Sequence, residues 1–88
     1  MKKTFEVTYE GHHIQVVNTW FSGERLYVDG TLQDEKVGFT LRGELSGSLE
    51  RSNGGTENIK VSIGGMFTVR CRIFVDNVLI YPEEQVDI

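Results

Sequence analysis

The stretch IKVSIGGMFTVRCRIFVDNVLIY, residues 59–81, decides the fold. Its apolar residues alternate with polar ones, and this period of two is typical of strands that bury one face. A three-residue loop at residues 64–66 and a two-residue Asp76-Asn77 turn place the apolar side chains of three strands on the same face. The predicted pairs are Ile63 with Phe67, Val61 with Val69, Ile59 with Cys71, Val75 with Val78 and Ile73 with Ile80. The sequence therefore predicts a C-terminal meander with a core face.

The opposite face of this meander is polar over most of its length and apolar at one end. Its polar positions are Lys60, Ser62, Thr68, Arg70 and Arg72. Phe74, Leu79 and Tyr81 share this face near the Asp76-Asn77 turn, which makes that end apolar on both sides. Two explanations stay open: residues 37–49 fold across the face, or a second copy of the chain covers it.

Two further hairpins precede the meander. A two-residue turn at Glu10-Gly11 gives a first hairpin whose apolar residues share one face. The predicted pairs there are Tyr9 with His12, Val7 with Ile14 and Phe5 with Val16. The Asp29-Gly30 dipeptide is a strong signal for a second turn of the same length. In that register Arg25 lies opposite Asp34, and the short polar strand at residues 31–34 forms a sheet edge.

The remaining segments complete an all-β prediction. Residues 37–49 alternate as a strand would, with a turn expected at Ser46-Gly47, and residues 52–56 are a polar loop. Glycine occurs ten times and alanine never, and no window has the apolar spacing of a helix. We expect a small antiparallel β-sandwich or partly open barrel of about eight strands, built from hairpins and the C-terminal meander. Residues 1–88 form one domain, with 82–88 as a flexible tail.

Composition and charge exclude several kinds of partner. The net charge is −4, and the nine basic residues are scattered along the chain, so no basic stripe is available for a phosphate backbone. A single cysteine cannot form an internal disulfide, and no apolar run reaches the length of a membrane span. We expect a cytoplasmic protein that contacts neither nucleic acid nor membrane.

No group of residues predicts catalysis. His12 and His13 are neighbours in a strand and point to opposite faces, so they cannot easily chelate one metal ion. Cys71 lies on the core face, where a thiol usually fills space. The acidic residues Glu83, Glu84 and Asp87 lie in the tail and cannot be held at a fixed separation. We expect no catalytic residue, no metal and no cofactor, and the protein is predicted not to be an enzyme.

The apolar residues left over after the core is assigned predict a partner. Trp20 and Phe21 are adjacent, and neighbouring strand residues cannot both face one core without a bulge. The candidate contact residues are Trp20, Phe21, Phe74, Leu79 and Tyr81. The leading hypothesis is a non-enzymatic interaction or assembly module that binds a protein partner or itself, most simply as a dimer. The alternative is a small-ligand-binding domain with a pocket between its sheets.

Three short segments resemble a known family. SGERLYVDG at residues 22–30, VSIGG at residues 61–65 and FVDN at residues 74–77 are similar to the Fas apoptotic inhibitory molecule family of β-domain proteins. Glu24 stands where that family has Lys, and Asn77 where it has Gly. The resemblance implies a compact antiparallel β-sandwich and a role in protein interaction, with no catalytic residues. Family members usually hold two such domains, whereas this chain holds one.

Overall fold

A computed structural model of the protein describes residues 2–19, 23–38, 42–65 and 69–82. These residues form eight strands and no helix. The strands are β1 (Lys2–Tyr9), β2 (His12–Thr19), β3 (Gly23–Val28), β4 (Thr31–Lys36), β5 (Arg42–Glu50), β6 (Thr56–Gly64), β7 (Arg70–Val75) and β8 (Val78–Tyr81). Strands β1 to β4 form the first sheet and β5 to β8 the second, both antiparallel and in chain order. Trp20, Phe21 and residues 83–88 of the predicted tail lie outside the described ranges.

One apolar core lies between the two sheets, which confirms the predicted β-sandwich. The first sheet contributes Phe5, Ile14, Val16, Leu26 and Val28. The second sheet contributes Leu45, Leu49, Ile59, Val61, Ile63, Cys71, Ile73 and Val75. Every second side chain of a strand points inward, so the alternation in the sequence selects these residues.

Three two-residue turns lie where the sequence predicts them, at Glu10-Gly11, Asp29-Gly30 and Asp76-Asn77. Both residues of each turn have a positive φ, between 46° and 82°. This is the type I′ geometry, whose twist matches that of the flanking strands. The first hairpin has the predicted register, with Phe5 opposite Val16.

Two β-bulges overturn two of the predicted pairs. In β4, Gln33 is an extra residue between Leu32 and Asp34, so Arg25 lies opposite Glu35 and not opposite Asp34. In β8, Ile80 is the extra residue, so Ile73 lies opposite Tyr81 and not opposite Ile80. A single inserted residue reverses which face the following side chains occupy. Val75 and Val78 do pair as predicted, but Val78 is 63% exposed at the sheet edge.

The predicted loop between β6 and β7 is too short. Residues 65–69 connect these strands, and Ile63 pairs with Cys71, Val61 with Ile73 and Ile59 with Val75. The true register differs from the predicted one by an even number of residues. An even shift preserves the face on which each side chain lies, so the predicted core face is right although its pairs are wrong. Phe67 lies outside the described residues.

The predicted turn at Ser46-Gly47 is also wrong, because both residues lie inside β5. Gly47 continues the inward face between Leu45 and Leu49. A Cβ at Gly47 would lie 2.6 Å from Oε1 of Gln33 and 3.0 Å from Cδ2 of Leu26. The glycine therefore allows the edge of β4 to pack closely on β5, and it does not mark a reversal of the chain.

The two halves of the sandwich repeat one design. RLYVDGTL at residues 25–32 and RIFVDNVL at residues 72–79 share Arg, Val, Asp and Leu at the same places. Ile14 pairs with Val28 as Ile59 pairs with Val75, and a bulge follows at the same position of each second hairpin. Each sheet is therefore one copy of a four-stranded unit.

Side chains of β4 in the first sheet bind the backbone of β5 in the second sheet. The amide of Gln33 donates to the Ser48 carbonyl at 2.9 Å and accepts from the Ser48 N–H at 2.7 Å. The carboxylate of Asp34 accepts from the Ser46 N–H at 2.8 Å. The bulge in β4 thus supplies an amide that pairs with the edge of β5 as a neighbouring strand would.

Candidate interaction surface

The predicted contact residues separate into two groups in the structure. Phe74 and Leu79 lie opposite each other on the outer face of the second sheet, and Leu79 is 42% exposed. The bulge at Ile80 turns Tyr81 to the inner side, where its ring packs edge-on against Phe5 with centroids 6.0 Å apart. Tyr81 is therefore a rim residue of the core, and its predicted place on the outer face is wrong. Trp20 and Phe21 fall outside the described residues.

The outer face of the second sheet carries a shallow groove of about 220 Å³. Its lining residues are Glu44, Leu45, Ser46, Lys60, Val61, Ser62 and Phe74. The groove lies on the exposed surface and not between the sheets. It combines an aromatic ring, two hydroxyls and charges of both signs on a rigid scaffold, which suits a contact surface.

The strand register sorts this face into two rows that run across the strands. In the first row, Glu44 lies opposite Ser62, and Ser62 lies opposite Arg72. In the second row, the successive partners are Ser46, Lys60, Phe74 and Leu79. Glu44 was not among the residues predicted from sequence, because its strand was expected to end in a turn.

The first sheet has an equivalent row, but its charges neutralise each other. Val17 pairs with Arg25, and Nε of Arg25 lies 3.1 Å from a carboxylate oxygen of Glu35. In the second sheet, Pro82 follows β8 at the place that corresponds to Glu35. Among the residues that the structure describes, no ion pair involves Glu44, Lys60 or Arg72. The repeat of residues 25–32 at residues 72–79 is the sequence signal that could have revealed this difference in charge between the two sheets.

The end of the sandwich at which the Asp29-Gly30 and Asp76-Asn77 turns lie holds a polar network that joins the two sheets. Nδ1 of His12 lies 2.7 Å from Oδ2 of Asp29, and Nε2 of His12 lies 2.7 Å from the carbonyl oxygen of Glu50. A carboxylate and a carbonyl only accept hydrogen bonds, so the two contacts form together only when both ring nitrogens carry a proton and the imidazole is positively charged. The hydrogen bond to Asp29 is the main reason that the pKa of His12 is raised. The same contact lowers the pKa of Asp29.

The second sheet repeats this arrangement with an arginine. One oxygen of Asp76 accepts from the Asn58 N–H at 2.9 Å, just as one oxygen of Asp29 accepts from the His13 N–H at 2.9 Å. The other oxygen of Asp76 accepts from Arg51 at 2.7 Å. Each turn aspartate thus binds one backbone N–H and one cation. These contacts stabilise the turns.

A buried polar pair lies at the end of the core that is distant from the Asp29-Gly30 and Asp76-Asn77 turns. Nδ2 of Asn18 donates to Oε1 of Glu24 at 3.5 Å, and only 2% of Glu24 is exposed. Oε2 of Glu24 and Oδ1 of Asn18 have no hydrogen-bond partner within the part of the chain that is described. Burial raises the pKa of Glu24 and outweighs the opposing effect of Lys36. The equivalent positions of the second sheet are the apolar Cys71 and Ile63.

Cys71 is buried, as its place in the alternation predicts. Burial raises the pKa of its thiol to about 12, so the nucleophilic thiolate is scarce near neutral pH. Across the described ranges, no three His, Cys, Asp or Glu side chains are grouped to hold a metal ion. Nor do those ranges contain a helix long and apolar enough to cross a membrane.

Comparison with known proteins adds no relative. No family model matches the chain, and no curated protein or solved structure matches it either. The geometry of the outer face therefore carries the functional argument.

Proposed function

We propose that this protein is a non-enzymatic assembly module that binds a second copy of itself through the outer face of its second sheet. The observation that carries the proposal is the pair of Phe74 and Leu79, which lies on the solvent side of a sheet whose other side is already filled by the core. Apolar surface of this kind is stabilised when a partner removes it from water.

The position of β5 supports the proposal that the outer face of the second sheet is available to a partner. One explanation for the surplus apolar residues is that residues 37–49 fold across the second sheet. Residues 42–49 instead belong to β5, which is an edge strand of that same sheet. A strand cannot cover the face of the sheet to which it belongs, so these residues leave Phe74 and Leu79 uncovered.

The two edges of the second sheet favour association through its outer face. The backbone of Ser46 and Ser48 at the edge of β5 is occupied by the side chains of Gln33 and Asp34. At the other edge, β8 has only four residues and a bulge, and Pro82 follows it. Occupied or short, irregular edges resist the addition of another strand.

Two finer proposals accompany this function. We propose a cytoplasmic location, which the single buried thiol of Cys71 supports because the fold uses no disulfide. The resemblance to the Fas apoptotic inhibitory molecule family implies a role in protein interaction as well, and it stays a prediction.

Dilution of leucine-methyl-labelled protein, followed by NMR, tests the proposed function. We expect the methyl resonances of Leu79 to shift between about 10 μM and about 1 mM protein, the range in which a weak dimer forms. Leu32 is the matched control, since it holds the equivalent exposed position on the first sheet. Concentration-independent spectra for Leu79 would overturn the proposal.

A further inference from the structure

We infer, on the basis of the proposed function, that the second copy docks on the same face about a twofold axis parallel to the strands. In this arrangement Glu44 of each copy meets Arg72 of the other. The partner surface is then the outer face of the second sheet of another copy of this chain, and the two copies form a closed dimer.

The first row of the face is self-complementary. Glu44, Ser62 and Arg72 lie side by side on three neighbouring strands, with the acid at one end and the base at the other. Neighbouring strands are about 4.8 Å apart, so the backbones of Glu44 and Arg72 are separated by roughly 10 Å within one sheet. A twofold axis along β6 reverses the row and places each acid over a base. The dimer thereby gains two ion pairs.

Comparison of the two sheets explains why no carboxylate of the described residues neutralises Arg72. Arg25 holds the equivalent position on the first sheet, and Glu35 on the next strand neutralises it. The residue corresponding to Glu35 is Pro82, which carries no charge. In the second sheet the acid of this row is instead Glu44 at the far side of the sheet, where the corresponding residue of the first sheet is Thr4. The second sheet thus separates the charges that the first sheet pairs.

The second row fits the same axis. Reversal of this row places Phe74 of one copy over Ser46 of the other, with Lys60 beside the axis. Each lysine is then one strand away from the Phe74 ring of the other copy. Its flexible side chain can extend over that ring, in a cation–π contact that moves the two ammonium groups apart.

The size of the face sets the strength of the dimer. With the axis along β6, the strands β5, β6 and β7 overlap the same strands of the other copy, and Leu79 on β8 lies at the rim beside that copy's β5. The overlap is roughly 15 Å wide and roughly 25 Å long, or about 350 Å² in plan. A standard stable interface buries about 800 Å² per partner. We therefore expect a dimer with a dissociation constant in the micromolar range, in which charge pairs make a measurable difference.

Charge exchange between Glu44 and Arg72 tests this arrangement by sedimentation equilibrium of the full chain. We expect Glu44→Arg and Arg72→Glu each to weaken dimerisation by about tenfold or more, because each replaces two attractions by two repulsions. The double variant Glu44→Arg/Arg72→Glu should return to within about threefold of the original affinity, since both pairs form again with reversed polarity. A one-to-one mixture of the two single variants should also form mixed dimers.

The matched control is Arg25→Glu, which reverses the equivalent charge on the first sheet and should leave dimerisation unchanged. Circular dichroism confirms that each variant is folded. A dimer that both single reversals leave intact would overturn this arrangement while the proposed function stands. Single reversals that weaken the dimer without recovery in the double variant would overturn the pairing of Glu44 with Arg72. A chain that stays monomeric without any substitution would overturn both the arrangement and the proposed function.

Discussion

His12 and Asp29 form a 2.7 Å hydrogen-bonded ion pair within the first sheet, and the same imidazole donates from its other nitrogen to the Glu50 carbonyl of the second sheet. The His12 imidazole thus links the two sheets at the end of the sandwich where the Asp29-Gly30 and Asp76-Asn77 turns lie. It makes both contacts only in its charged form, because neutral imidazole has one N–H. The link between the sheets is therefore sensitive to pH.

The first prediction concerns this pH dependence. The pKa of His12 is raised above 6.5 in the folded protein, so its contribution to stability is complete below pH 6.5 and is lost as pH rises through the raised pKa. The pKa of Asp29 is lowered below 3.8, so its contribution is present above pH 3.8 and is lost as pH falls through the lowered pKa. We expect the stability advantage over His12→Gln to be greatest between these limits.

Urea unfolding of the original protein and of His12→Gln across this range measures the difference. Asp29→Asn is a matched second variant, because asparagine tolerates the positive φ of 51° at this turn. It should remove the same part of the pH dependence. Parallel stability profiles for all three proteins between pH 6 and pH 9 would contradict the charged state of His12.

The second prediction concerns the close contact at Gly47. A methyl group there would lie 2.6 Å from Oε1 of Gln33 and 3.0 Å from Cδ2 of Leu26. We expect Gly47→Ala to lower the free energy of unfolding by about 1–3 kcal/mol, because overpacking outweighs the entropic benefit of replacing glycine. Urea denaturation checks the value. In the double variant with Gln33→Ala the cost should be smaller than the sum of the single costs, whereas strict additivity would show that the contact is absent.

Most of the fold follows from local patterns, and the exceptions have a common physical cause. The type I′ turns depend on two adjacent residues, such as Asp29 and Gly30, and could be predicted from the sequence. The bulges at Gln33 and Ile80 could not, because their support comes from contacts distant in sequence. Gln33 pairs with Ser48, and Tyr81 reaches Phe5 only after Ile80 has shifted the alternation.

The candidate site was predictable only in part for the same reason. Phe74 and Leu79 are surplus to the core in any register that keeps the Asp76-Asn77 turn, so the sequence identifies them. Tyr81 lies beyond a bulge, and its face could not be inferred. The row from Glu44 to Arg72 depends on the pairing of β5 with β6, which the expected turn at Ser46-Gly47 concealed.

The third prediction concerns Cys71. Its side chain is buried and its pKa is raised to about 12. We expect a thiol reagent at neutral pH to label the native protein at least about a hundredfold more slowly than the unfolded protein. Absorbance of the released reagent measures both rates. Equal rates with and without denaturant would place the thiol at the surface and would be incompatible with the sandwich core.

The fourth prediction separates the outer face from the core. Phe74→Ser/Leu79→Ser removes the apolar pair of the outer face, and we expect this double variant to stay folded. Tyr81→Ser removes a ring that packs against Phe5 and should instead lower the thermal midpoint. Thermal unfolding by circular dichroism distinguishes the two effects. An unfolded Phe74→Ser/Leu79→Ser protein would mean that this face is already part of the core.

Sedimentation equilibrium of the original protein beside Phe74→Ser/Leu79→Ser, from about 1 μM to about 500 μM, tests self-association most directly. We predict that the original chain passes from monomer to dimer within this range, while the folded double variant stays monomeric. Leu32→Ser, at the equivalent position of the first sheet, should dimerise like the original chain. An original chain that stays monomeric throughout, or a double variant that dimerises equally well, would contradict the proposal that the outer face of the second sheet is the interface.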